Sequence, residues 1–404
     1  MMSGPRKAEA EVIIVGGGPA GAATAIHLAR RGRRVLLLEG RNFAKVRAAD
    51  MRSGEVLSPG GQAEIARLGL AAQPSADWRL LPFEAIRNSW PNGRSTLDPL
   101  PHGLAFWQTD RGCFDRAMFA LARAEGAEVQ DNCRVSNLLR DEQGAVCGVI
   151  TKAGDEPGRE YYAPIVVDAS GRRSALLARM KLKQPEPEFQ RIALVCFYEY
   201  VPECTPGVWE QHFLTGYNTA IKGTIMREGL YRFSFETDLA FRNSFAARRG
   251  KQVPHAMTLA MLEELNPILH QRFKAARPLP YSVAYAPIGY RVSRIIQDGL
   301  LQVGDAAGYL DPSTGQGIEF ALRTARLAAA TIEQALLAHD YRQSQFAPYL
   351  AGRHREMTEA LNWLRLYLRM TRQRPLLNLF SHKYLAPARA LMVRSMVKPR
   401  PASF

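Results

Sequence analysis

The chain has 404 residues, 47% of them hydrophobic and 23% charged, which suffices for one large domain or two interleaved ones and excludes global disorder. Lys and Arg number 53 against 38 Asp and Glu, a formal net charge of +15. The five cysteines, Cys113, Cys133, Cys147, Cys196 and Cys204, are scattered and odd in number. They argue against a disulfide framework or a zinc site and predict reduced thiols in a cytoplasmic protein, with no metal.

Met1 to Ala10 lacks an apolar run, and no stretch of 18 uncharged apolar residues exists, so neither a secretory signal nor a transmembrane segment is expected. Val12 to Val15 predicts a strand buried on both faces. A glycine-rich turn follows, then a helix over Ala20 to Arg31 and a second buried strand, Val35 to Leu38, ending at Glu39. Together they form one βαβ unit. Ser58 to Gly103 is rich in Pro and Gly and reads as an excursion from the first sheet. Asp115 to Glu125 predicts helix, Val129 to Leu139 and Ala145 to Thr151 predict strands, and Ile165 to Asp168 is another apolar strand. Ala193 to Tyr200 and Tyr217 to Phe235 are strand-rich, with a hairpin turn at Glu228-Gly229. Leu300 to Val303 is a last buried strand, and everything after Gly317 reads helical.

Gly16-Gly17-Gly18-Pro19-Ala20-Gly21 fits G-x-G-x-x-G. Gly16 permits the tight turn, Gly18 leaves room for a pyrophosphate, and Gly21 lets the helix pack close to the sheet, with Ala20 between them. The helix aims its free N–H groups at the phosphates. Glu39 stands where a carboxylate can take the ribose hydroxyls.

Later segments carry a resemblance. Leu300 to Val303 running into Gly304-Asp305-Ala306-Ala307, followed by Asp311-Pro312-Ser313-Thr314-Gly315-Gln316-Gly317-Ile318, resembles the second FAD motif of the p-hydroxybenzoate hydroxylase-fold flavoproteins. Val167-Asp168-Ala169-Ser170-Gly171 is similar to the family's middle motif. Arg111 to Asp115 resembles its R-x-x-F-D segment, and Arg52-Ser53-Gly54-Glu55 its flavin-side loop. The resemblance implies FAD, held by Gly304, Asp305, Pro312, Gly315, Gln316, Gly317, Ile318, Arg52, Arg111, Asp168 and, at the adenine, Val135. NAD(P)H or a partner reductase would supply electrons, since no second dinucleotide motif is present.

The implied fold is α/β: a glutathione-reductase-type FAD-binding Rossmann fold with an inserted antiparallel β-sheet substrate domain and a helical C-terminal region. The FAD-binding part falls in three pieces, 1–75, 106–185 and 286–340. A substrate-side excursion occupies 76–105, the β-rich substrate domain 186–285 and a basic helical region 341–404.

The family contains aromatic hydroxylases, halogenases and geranylgeranyl reductases. Tryptophan-type halogenases carry a lysine ahead of an A-I-R-like strand. Here Phe83 and Glu84 precede Ala85-Ile86-Arg87, and no lysine lies between Lys45 and Lys152. Their W-x-W-x-I-P element is replaced by Tyr217-Asn218-Thr219-Ala220-Ile221-Lys222, and Thr314 replaces a loop glutamate. The reductases' Y-x-W-x-F-P element is missing too, although their Pro-x-x-G-x-G-I loop matches Pro312 to Ile318. By elimination the resemblance points to a monooxygenase that hydroxylates an aromatic group through a flavin C4a-hydroperoxide. A geranylgeranyl-type reductase, a halogenase and a non-catalytic flavin scaffold are the alternatives. No catalytic base is assigned; His212, Glu210 and Glu236 are candidates that read more simply as structural.

From Tyr341 onward twelve basic residues face two acidic ones, a net of +10. Such a cluster suits either an ordinary solvated helical face or an anionic partner; without a nucleic-acid-binding motif, the partner reading is an acidic protein or carrier-bound substrate. Some relatives hydroxylate a tryptophan on a partner polypeptide during quinone cofactor maturation. Arg365, Arg369 and Arg372 are expected on one helix face, with Leu361, Trp363, Leu364 and Leu368 elsewhere.

Overall fold

The computed structural model describes residues 8–43, 45, 54–70, 77–101, 103–152, 158–214, 218–309 and 311–397. The apolar runs of the sequence become the centre of a six-stranded sheet. Its order is Ile296–Gln297, Leu300–Gln302, Ile165–Asp168, Val12–Val15, Val35–Leu38, Glu128–Gln130. All pairs are parallel except the first. Val12 pairs with both Val35 and Ile165, which brings the C-terminal ends Val15, Leu38 and Asp168 to one edge. Ligands bind at such an edge in open α/β sheets.

The helix Pro19–Ala29 leaves that edge, and Gly317–Ala338 packs against it. Ala22, Ala25, Ala325 and Ala328 in these helices are fully buried in one core, where their small side chains allow the close approach.

A second sheet has seven strands, ordered Arg277–Tyr285, Arg191–Glu199, Leu230–Asp238, Thr219–Arg227, Val208–Leu214, Ala85–Ser89, Ser95–Pro99. The excursion thus supplies the edge hairpin, and Ala85–Ser89 joins Val208–Leu214 in parallel. Alternation sorts the two faces. Tyr231, Phe233 and Phe235 pack on Phe245, Met261 and Phe273. Those three belong to the helices Leu239–Arg249, Pro254–Leu265 and Pro267–Lys274, which make this segment a sheet with a helical cover rather than β-structure alone. The intervening residues Arg232, Ser234 and Glu236 face a cavity beside the first sheet.

The C-terminal helices are Ala347–Thr371, Arg374–Phe380 and Ala386–Val397. No helix among the described residues is long and apolar enough to cross a membrane.

Candidate active site

A single cavity of about 1030 Å³ runs from the glycine turn to the C-terminal helices. At one end Gly16 has φ +105°, and a Cβ there would lie 2.5 Å from the Ala169 carbonyl oxygen. A Cβ on Gly21 would lie 1.9 Å from Gly16 O, so this glycine serves packing. A Cβ on Gly18 would meet nothing within 4 Å; its open side faces the cavity. The helix Pro19–Ala29 has no side-chain cap and no acid in its first turn, which leaves its N–H groups for an anion.

A chain of alternating charges borders this end. Glu39 accepts from the Gly17 amide at 2.7 Å and from the Arg41 amide at 2.7 Å. Arg41 donates to Asp115 at 2.7 Å, Arg111 pairs with Asp115 at 3.0 Å, and Arg111 reaches Glu55 at 3.3 Å. Across the cavity, Gly304 has φ +58° and a Cβ there would lie 2.7 Å from Ala20 Cβ, so the two glycine segments meet. Burial pushes the Asp305 carboxyl up to about 6, with Glu55 adding to the shift and Arg111 and Arg172 opposing it.

The loop after Asp311 turns through Gly315 at φ +66° and opens the helix Gly317–Ala338, which again lacks a side-chain cap. Gly16, Gly18, Ala20, Glu39, Arg111, Val135, Gly304, Asp305, Pro312, Gly315, Gly317 and Ile318 all line the cavity. Gly21, Gln316 and Asp168 do not. Asp168 accepts from the Ser170 amide at 3.0 Å and from Ser174 Oγ at 2.8 Å, so its carboxylate fixes the turn behind the site. Arg52, Ser53, Gly216 and Tyr217 lie outside the described residues. The open face of Gly18, two uncapped helix N-termini and the acids Glu39 and Asp305 fit a dinucleotide such as FAD.

The other end is an aromatic chamber. Phe83 stacks on Phe106 with centroids 5.1 Å apart, and Trp90 on Phe213 at 4.9 Å. Trp209, Trp363, Tyr367 and Phe380 complete the wall. Inside it sits a buried charge cluster. Lys222 Nζ donates to Glu236 Oε2 at 2.8 Å, and Ser313 Oγ donates to the same oxygen at 2.9 Å. Arg191 lies 3.5 Å from Glu236 and forms a close ion pair with Asp311. Burial alone would raise the Glu236 carboxyl, but Lys222, Arg191 and the hydrogen bonds from Lys222 and Ser313 outweigh it and hold it well below its usual range. Arg232 Nε and Nη1 and Ser234 Oγ are buried there without a hydrogen-bond partner among the described residues.

Of the three candidates Glu210, His212 and Glu236, only Glu236 lines the chamber. Glu210 is engaged by Tyr231 at 2.7 Å and Arg272 at 2.9 Å, away from the cavity. No sequence motif marks Lys222, Arg191 or Arg232; the halogenase resemblance places its lysine ahead of Ala85–Ser89 instead. Strand alternation would have marked Lys222, the one charge inside this hairpin strand before its terminal Arg227, directly opposite Ser234. No group of residues among those described could hold a metal ion.

This chain belongs to a family of FAD-binding proteins: a family model described as an FAD binding domain matches residues 9–360. It is therefore an FAD-dependent oxidoreductase of the p-hydroxybenzoate hydroxylase fold. It is 28% identical over 349 residues to a 1H-pyrrole-2-carbonyl-[peptidyl-carrier protein] brominase from Pseudoalteromonas luteoviolacea, covering 83% of this chain and 80% of the relative. It is also 28% identical over 334 residues to digeranylgeranylglycerophospholipid reductase 1 from Methanopyrus kandleri, covering 82% of each. Among solved structures, a triple mutant of the flavin-dependent brominase Bmp2 superposes with a TM-score of 0.79 at 22% identity, over 96% of this chain and 95% of that one. A geranylgeranyl bacteriochlorophyll reductase-like protein from Thermoplasma acidophilum gives 0.78 at 19% identity, over 97% and 96%. These relatives are halogenases and reductases, so the hydroxylase reading drawn by elimination draws less support from them than its alternatives do.

Proposed function

We propose that this protein uses FAD, oxygen and halide to halogenate an electron-rich aromatic ring borne by an acidic macromolecule. One observation carries the reading: the Lys222 ammonium lies inside an aromatic chamber, fixed by Glu236 at 2.8 Å. The lysine absent ahead of Ala85–Ser89 has a counterpart on Thr219–Arg227, one strand beyond its parallel neighbour Val208–Leu214. Bound FAD, reduced by NAD(P)H or a partner reductase, supplies the activation of oxygen. Two-electron oxidation of halide by that activated oxygen, with the second oxygen atom leaving as water, would give hypohalous acid. Lys222 donates to it and orients it toward the ring, while Phe83, Trp209 and Phe213 exclude water and hold the ring. The similarity to the pyrrolyl-carrier brominase supports both the chemistry and a tethered substrate. An isoprenoid chain, by contrast, offers nothing to answer Arg232 or the Lys222–Glu236 pair, so the reductase reading fits the chamber poorly.

Hydroxylation of an aromatic residue on a protein partner is the second reading. It is favoured by Thr314 in place of the halogenase loop glutamate. One assay separates the two. Protein, FAD, a flavin reductant and an aromatic ring loaded on a carrier protein are incubated with and without bromide, and the product is weighed. Halogenation gives the bromine isotope doublet; one added oxygen regardless of bromide overturns it in favour of hydroxylation. Lys222→Met should cut halogenation by about a hundredfold or more, the scale of a lost positioned donor.

A further inference from the structure

The buried cluster ties the seven-stranded sheet to the loop Asp311–Gly315, which lines the same cavity as Gly16, Gly18 and Gly304 of the dinucleotide end. Arg191, Glu236 and Lys222 come from three adjacent strands of that sheet, and Asp311 and Ser313 from the loop. Arg191, Lys222, Glu236 and Asp311 are all at most 4% exposed. Their charges cancel, two cations against two carboxylates, and Arg232 adds a third cation on the same face. Charges in such a dry setting interact far more strongly than at a surface. We propose that this cluster sets the reduction potential of the bound flavin through its charge, with Lys222 favouring and Glu236 disfavouring the reduced form.

The sign follows from the redox balance. Oxidised flavin takes two electrons and one proton, so the reduced form gains one negative charge. Removing a cation nearby disfavours that charge; removing an anion favours it. A purely structural role predicts something else: either substitution loosens the Asp311–Gly315 loop, and both shift the potential the same way. The inference rests on FAD binding and on no reading of the substrate, because the potential is measured without substrate.

The test is a redox titration of the FAD-loaded full chain against a reference dye. Lys222→Met should lower the equilibrium constant for flavin reduction by about tenfold, ~30 mV for a two-electron couple, and Glu236→Gln should raise it by about as much. The double variant Lys222→Met/Glu236→Gln should return close to wild type, and Lys222→Arg should stay there. Shifts of the same sign in the two single variants would overturn the proposal, as would no shift in either. If Glu236→Gln fails to retain FAD, Lys222→Met against Lys222→Arg carries the test, and equal potentials in that pair would sink it.

Discussion

Arg389 holds Asp98 in the wall of the chamber, with Nε 2.9 and 3.1 Å from the two carboxylate oxygens. The same guanidinium donates to the carbonyls of Phe380 and His382, so it clamps the last helices to the edge hairpin Ser95–Pro99. Both side chains are nearly buried, at 8% and 11% exposure. Removing one partner of such a pair leaves the other uncompensated. Arg389→Met should therefore cost about 3 kcal/mol in a denaturant titration, and adding Asp98→Asn should recover part of it. FAD should stay bound, because the pair touches only the chamber end. A single variant as stable as wild type would show that the clamp contributes nothing.

Two glycines of one motif should fail in different ways. Gly18→Val points a side chain into open space on the cavity side, so the apoprotein should melt as wild type does while FAD affinity drops by more than tenfold, over ~1.4 kcal/mol. Gly21→Val drives a Cβ against Gly16 O and should lower the yield of folded protein itself. Calorimetry of the apoproteins and flavin fluorescence titration distinguish the two; tight FAD binding in Gly18→Val would contradict the site.

Acid sensitivity should trace to His27 and His212. Burial holds each imidazole down to about 4, with Arg31, Arg326 and Arg30 adding at His27; at His212, Glu210 opposes the shift, and Arg272 and Arg87 add to it. The unfolded chain takes these protons near pH 6.5 and the folded chain only near 4. The stability each contributes is thus full above 6.5 and lost as pH falls toward 4. Asp305 acts in the opposite sense over an overlapping range, so the sign is best read from a difference. The melting temperature of His212→Gln minus that of wild type should rise steadily between pH 6.5 and 4. A difference independent of pH would refute the assignment.

The partner proposal rests on the C-terminal surface. Arg369 and Arg372 are exposed, and Arg365 is half-buried and paired with Glu188 at 2.6 Å. Leu364 and Leu368 are buried as the helical spacing predicts, while Leu379, Tyr384 and Leu391 stand exposed nearby in sequence. Charge steering of an acidic carrier acts on the encounter rate and is screened over roughly 8 Å at physiological salt. Reversing Arg365, Arg369 and Arg372 to Glu should slow turnover of a carrier-bound ring about tenfold or more at low salt and leave FAD affinity and dithionite reduction of the bound flavin unchanged. Turnover indifferent to salt and to the reversal would return this face to ordinary solvated surface.

The FAD half was legible in the sequence because its constraints are local. Gly16 and Gly304 need positive φ, Gly21 needs the absence of a side chain, and short apolar strands must be buried on both faces; each demand leaves a mark within a few residues. Asp168 shows the ambiguity of a local signal: a carboxylate at a strand end serves a turn as readily as a cofactor, and its bonds to Ser170 and Ser174 hold the turn. The chamber was legible only in part, at Glu236 and Asp311, and as a cluster not at all. Lys222, Glu236, Arg191, Asp311 and Arg389 come from separate strands, a loop and the last helix, and no spacing joins them. Each is a charge that the chain could have left in water. Only the folding of the inserted sheet and the last helices against the Asp311–Gly315 loop removes that water, and with it the freedom of each charge to go unpaired.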